Sequence, residues 1–378
     1  MKYFFIILLI LTCFSCKKNT ASIDLSDEII GIESSVRYAQ GFDLQIFQDI
    51  SKLVIKRPYP NAQNQEVFYL VPRNNFIPDS LQNKNVIRTP IGSAVPTSTT
   101  HIPMIELFNM EDKIVGFPQT NYISSDRTTE LVKTGKIAEL GNIQNLNFEI
   151  LVSLNPDLVI GFSMSENDPA FNRVKETHIP ILFNGDWLEE EPLGRAEWLK
   201  VFGALFDKNQ MADSIFNQIE KEYAEAKEIA QQSKDRPNVL SGILFEDKWS
   251  LPAGESFMAH LFADANINYL WKETKGTGSL VLALESVIEK GNASDLWIGA
   301  GIFTDYETML ESNSHYSTFN AFQEKKIFNF AKRKGDQGGI LFFELAPIQP
   351  QVVLKDLIKA AHPDLLPDYI PYFLEPLD

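Results

Sequence analysis

Residues able to do chemistry are plentiful in this chain but scattered. The five histidines (His101, His178, His260, His315 and His362) show no H-x-x-x-H spacing, and none has a second ligand close by in sequence. No metal site and no bound cofactor are therefore expected from local pattern. Gly254-Glu255-Ser256-Phe257 breaks the Gly-x-Ser-x-Gly elbow of serine hydrolases, and no phosphate-binding loop occurs. With 50 acidic residues a catalytic carboxylate pair stays open, so a surface-exposed hydrolase is the enzymatic alternative. A free metal-ion binder would need histidines and carboxylates converging from distant stretches, with His101 and His260 the ones to watch. One pattern is regular: two short helical stretches, each opening on a glutamate (Glu149 and Glu285), are each followed by an apolar strand that Asp introduces and Gly closes, Asp157–Gly161 and Asp295–Gly299.

The elements that must position these residues follow from periodicity. From Arg195 to about Lys234, apolar residues recur at Leu199, Phe202, Phe206, Ile215, Phe216, Ile219, Tyr223, Ala226 and Ala230, one stripe of a long helix. Asp235-Arg236-Pro237 ends it, and Phe206-Asp207-Lys208 is a soft seam within it. Short strands alternating with helices on either side predict two α/β lobes with mostly parallel sheets flanked by helices, joined by one long interlobe helix. The segment before them, with Phe42–Ile46, Leu53–Ile55 and Val67–Val71, reads as a small antiparallel β-rich extension. The expected boundaries are 17–90 for tether and extension, 91–188 for the first lobe, 189–234 for the linker and 235–378 for the second lobe. In parallel sheets ligands collect beyond the carboxyl ends of the strands, which singles out the loops 97–101, 117–125 and 162–167.

Composition bounds the function. The net charge of -16 argues against nucleic acid or an anionic membrane surface as partner, since both need clustered Lys and Arg. Met1-Lys2, the apolar run 3–11 and Ser15-Cys16 before the polar Lys17-Lys18 make an export signal of residues 1–16, too short for a permanent span. It resembles the lipobox of bacterial lipoproteins, which implies acylation of Cys16 and a membrane anchor; Cys13 stands where that pattern prefers Leu. Both cysteines fall in this leader, so the folded part is expected to hold no disulfide and no thiolate zinc site.

From about Val36 to Leu377 the chain resembles the substrate-binding lipoproteins of bacterial ABC importers for ferric siderophores, haem and cobalamin. The resemblance rests on Leu154-Asn155-Pro156-Asp157-Leu158-Val159-Ile160, on Pro192-Leu193-Gly194-Arg195-Ala196-Glu197-Trp198, on Trp249 with Gly254, and on Leu354–Ile358 before His362-Pro363. It implies a monomer that holds a metal chelate, a ferric siderophore first, in the interlobe cleft and delivers it to a permease and its ATPase. It further implies that Glu149 and Glu285 dock against permease arginines. For a large ligand with greasy faces and polar edges, the candidate contacts are Tyr122, Trp249, Tyr306 and Arg333, the last in Lys332-Arg333-Lys334, the one basic cluster late in an acidic chain. Cobalamin or haem remains the alternative cargo.

Overall fold

The computed structural model describes residues 34–47, 50–336 and 338–378. The leader and Cys16 lie outside the described residues.

The linker is where sequence pattern becomes architecture. Helix Asn209–Ala230 turns one apolar stripe inward, and the two halves of that stripe enter different cores. Ala212, Phe216 and Ile219 pack into the first lobe, whereas Tyr223, Ala226 and Ala230 pack into the second. At 1.5 Å rise per residue the helix is about 33 Å long. Because each lobe uses it as core, the lobes cannot separate far without exposing buried apolar surface. Two shorter helices precede it, Pro192–Glu197 and Leu199–Leu205. The soft seam falls where the sequence placed it, with Asp207 in the left-handed region at φ 56°.

The first lobe is built on parallel strands Ala94–Pro96, Leu158–Gly161 and Ile181–Phe183, with Leu158–Gly161 in the centre. That strand is buried on both faces, as its unbroken apolar run requires. The extension is a sheet of four strands, Phe42–Phe47, Ile50–Ile55, Glu66–Pro72 and Asn85–Thr89. The first three pair antiparallel as expected, and the fourth adds in parallel.

In the second lobe Asn268–Tyr269, Asn238–Ser241, Leu296–Ile298 and Ile327–Asn329 run parallel, closed by the antiparallel Glu375–Pro376. The apolar run 239–245 is split at Gly242 into Asn238–Ser241 and Ile243–Phe245. There φ is +84° and an added Cβ would lie 2.0 Å from the Ser250 carbonyl oxygen, so the chain can turn only without a side chain. Beyond that turn a separate antiparallel sheet forms from Ile243–Phe245, Lys248–Pro252 and Ser279–Ala283. Among the described residues no helix is long and apolar enough to cross a membrane.

Candidate functional site

Chain that follows a parallel strand in each lobe meets at the seam between the lobes: helix His101–Glu106 after Ala94–Pro96, and the segment 333–347 after Ile327–Asn329. From the second lobe, the segment 333–347 crosses that seam and seats on the first. Helix Leu341–Leu345 packs against helix His101–Glu106, and Glu344, 3% exposed, accepts a hydrogen bond from the Ser124 N–H at 3.1 Å. Gly335 and Gly339 lie so close to Tyr122 and Ser124 that a Cβ would sit 2.7 Å from Ser124 Cα and 2.6 Å from its Oγ, respectively. Side chains at these two positions would force the lobes apart.

Burial pushes the Glu344 carboxyl up to about 7, with the Glu106 carboxylate across the seam adding to the rise against the hydrogen bonds from Ser124. A carboxyl whose folded value exceeds its unfolded value of about 4.3 contributes stability that is full below that value and lost as pH rises through about 7. Glu344→Gln keeps the acceptor and removes the titration. The variant is expected to flatten the fall in stability between pH 5 and 8 by about 1–3 kcal/mol, read by urea unfolding at the two pH values. An unchanged slope would show that another group carries it.

Between seam and linker lies the cleft wall of the second lobe, a cavity of ≈ 290 Å³ lined by Phe257, Met258, Phe342, Phe343 and Pro347, with Arg195 of the linker reaching into it. The Arg195 guanidinium lies 4.4 Å over the Phe257 ring, and its Nη2 donates to the Trp187 carbonyl at 2.8 Å. Trp187, in the loop after strand Ile181–Phe183, stacks at 5.3 Å on Phe162 from the loop after the central strand. An aromatic and thioether surface of the second lobe therefore lies against the linker, with the Arg195 cation beside it. Two other grooves, of ≈ 420 and ≈ 460 Å³, share the segment 177–180 at the amino end of strand Ile181–Phe183; neither touches the seam.

The residues singled out by sequence divide. Tyr122 is 53% exposed on the loop that meets Gly339, and Arg333 begins the crossing segment, its guanidinium 4.6 Å over Tyr372 and 3.3 Å from Glu375. These two belong to elements that meet at the seam. Trp249 does not reach the cleft. Its alternation on strand Lys248–Pro252 turns it inward with Leu251, fully buried against Trp297, Tyr316 and Phe319, with Nε1 donating to the Ser241 carbonyl at 3.0 Å. Tyr306 is likewise committed to packing: its ring meets Phe322 edge-on at 5.2 Å and its hydroxyl accepts the Ile327 N–H at 3.2 Å. His101 and His260 do not converge. His101 is buried at 0% exposure beside Phe202, where burial pushes its imidazole down to about 3, whereas His260 faces Glu191 at 3.2 Å from the second-lobe helix Phe257–Asp264. Arg195 and Trp187 were not singled out. An arginine three residues after Pro192 reads as an ordinary helix residue; its aromatic surroundings come from residues 8 before it and 62 after it (Trp187 and Phe257).

Glu149 and Glu285 sit alike. Each is the exposed second residue of its helix, Phe148–Leu154 and Leu284–Gly291, and neither forms a salt bridge among the described residues.

Known proteins with this sequence or shape agree with the architecture. An uncharacterized lipoprotein of Methanocaldococcus jannaschii is 23% identical over 372 residues, covering 92% of this chain and 86% of that protein. A second uncharacterized lipoprotein of the same organism is 24% identical over 351 residues, covering 87% and 83%. Among solved structures, a possible iron-binding (periplasmic solute-binding) protein from Staphylococcus epidermidis superposes with a TM-score of 0.57 at 15% identity, covering 72% of this chain and 100% of that one. A periplasmic heme binding protein from Pseudomonas aeruginosa does so with a TM-score of 0.56 at 16% identity, covering 76% and 98%. At these identities the structures bear on fold alone. The family described as Periplasmic binding protein matches residues 95–333, from the first strand of the first lobe to the segment that crosses the seam, and the chain belongs to that family.

Proposed function

We propose that this chain is the substrate-binding lipoprotein of an ABC importer, anchored through Cys16, that captures a metal chelate in the cleft and delivers it to a membrane permease. A ferric siderophore is the first candidate cargo, haem or cobalamin the next. The observation that carries the reading is the cavity beside the linker, where Phe257, Met258, Phe342 and Phe343 of the second lobe surround the Arg195 guanidinium. Such a surface suits a bulky ligand with greasy faces and a few polar edges. The lipoprotein relatives and the iron- and heme-binding proteins of the same fold support it. Tyr122 and Arg333 are proposed as contacts at the cleft mouth, and Glu149 and Glu285 as docking residues. A free metal ion is disfavoured because His101 and His260 lie in separate environments.

The test is native mass spectrometry of the full-length chain in detergent with ferric siderophores, haem, cobalamin and bare divalent metals. One-to-one retention of an organic metal complex is expected. Retention of bare metal alone would sink the reading, and no binding by folded protein would return attention to a hydrolase.

A further inference from the structure

Helix Leu341–Leu345 belongs to two places at once. Phe342 fastens it to the second lobe, stacked on Phe330 with ring centroids 3.9 Å apart, and Phe342 and Phe343 together form one wall of the ≈ 290 Å³ cavity. Glu344, the next residue, instead seats on the first lobe. Whatever unseats Glu344 therefore shifts that wall.

The surface that receives Glu344 already holds another carboxyl. Ser124, 7% exposed, donates its N–H to Glu344 Oε2 at 3.1 Å; its neighbour Ser125 donates its hydroxyl to Glu106 Oε1, which also accepts Thr128 Oγ1 at 2.6 Å. Adjacent serines thus hold one carboxyl from each lobe. The basic side chains of the elements around the helix are engaged elsewhere or turned to solvent: Arg127 pairs with Glu111, Lys133 lies 4.0 Å from Asp336, Lys332 and Arg333 pair with Asp378 and Glu375, and Lys334 is exposed. His101, on the same helix as Glu106, is fully buried and pushed down to about 3, so it brings no charge at neutral pH. Two carboxylates meeting in such a seam repel each other, and one proton removes both the repulsion and the cost of burying a charge. Burial, with Glu106 adding to it, raises the Glu344 carboxyl to about 7. That value lies above the ordinary one of about 4.3, so seating is favoured at lower pH and lost as pH rises through about 7.

We infer that helix Leu341–Leu345 is a proton-operated latch: a proton on Glu344 seats the helix on the first lobe and closes the cavity wall, and its loss releases the helix. The latch needs no cargo to work. Its consequence for cargo rests on the importer reading above: a chelate in the cavity is held in mildly acidic surroundings and let go above neutral pH.

Hydrogen exchange of the cargo-free, full-length chain in detergent, with rates corrected for the intrinsic effect of pH, tests the latch. Between pH 6 and 8.5 the segments 122–128 and 341–347 are expected to lose about tenfold in protection, whereas strand Leu158–Gly161 keeps its own. Glu344→Gln should hold both segments protected at either pH, and Glu106→Gln should shrink the change by removing the facing charge. Thermal melts report folding, and Glu106→Gln keeps the test open if Glu344→Gln fails to fold. Protection that ignores pH, a change that both variants keep, or an equal loss in Leu158–Gly161 would each overturn the latch. Dissociation of bound ferric siderophore, haem or cobalamin is the second arm, expected to be about tenfold faster at pH 8.5 than at pH 6 in the wild type and equal at the two pH values in Glu344→Gln. Equal rates in the wild type would strip the latch of any hold over cargo. If no chelate binds, the importer reading falls, and the exchange result still decides the latch.

Discussion

Replacing Glu197 by alanine is expected to cost about 3–5 kcal/mol of stability in the first lobe and linker, the range for leaving buried charges and donors without a partner. Glu197 is fully buried on helix Pro192–Glu197. Its carboxylate accepts the backbone N–H groups of Arg37 (2.9 Å), Tyr38 (2.7 Å) and Ala39 (3.0 Å), and Lys200 Nζ at 2.9 Å. Lys200, 4% exposed, spans on to the Ser35 carbonyl at 2.7 Å, so one carboxylate holds the segment 35–39 against the linker. Next to it, Glu189 clamps Gln40 and Gly41. Gly41 leaves no room for slack, because a Cβ there would meet Glu189 Oε1 at 2.8 Å and the Trp198 ring at 2.9 Å. Alanine at position 197 would strand three N–H groups and take from the buried Lys200 ammonium its nearest carboxylate, leaving it the Ser35 carbonyl and Asp213 at 3.6 Å. Glutamine preserves the shape and part of the acceptor capacity, so Glu197→Gln should fall between wild type and Glu197→Ala. Urea unfolding of the full-length protein in detergent checks both; a loss under about 1 kcal/mol for alanine would mean that water or a rearranged segment 35–41 replaces the carboxylate.

That clamp also marks the limit of what could be read from sequence. Elements whose signal is periodic were legible: the linker stripe repeats every three to four residues, and its seam at Asp207 and its end before Pro237 came from local chain chemistry. The paired glutamates were legible because similar text occurs twice. Trp249 was misplaced because Gly242 hid a chain reversal; once that turn is known, alternation along Lys248–Pro252 puts the ring inside. The cavity beside the linker was not legible at all. Arg195 gains its role from Phe257, 62 residues on in sequence, and Glu197 from backbone groups about 160 residues earlier. A glutamate and an arginine in a helical stretch look like a solvated face until packing brings distant chain against them.

Reversing both docking charges, Glu149→Arg with Glu285→Arg, is expected to lower cargo uptake by at least about tenfold and leave cargo affinity within about twofold, because truncating or opposing a close interfacial charge pair costs roughly 2–5 kcal/mol. Each glutamate follows the first residue of its helix, and each is exposed. A carboxylate in a first helical turn is favourable by about 0.3–1 kcal/mol whatever lies outside, so local helix stability alone explains either glutamate. That explanation predicts a different result: reversal would cost one or two kcal/mol of stability, and uptake would follow only the amount of folded protein. Glu149→Gln with Glu285→Gln separates the two, since it removes the charge without introducing repulsion and should give an intermediate loss of uptake if docking is the role. Uptake in proteoliposomes carrying the permease and its ATPase, normalised to cargo-loaded binding protein, is the measurement. Each lobe carries one of the charges, and helix Asn209–Ala230 is core to both lobes, so their separation is held by the same packing that limits the hinge. Two charges on a rigid body fix its orientation over a pathway; either single reversal should therefore leave partial uptake, and only the pair should approach the level without binding protein.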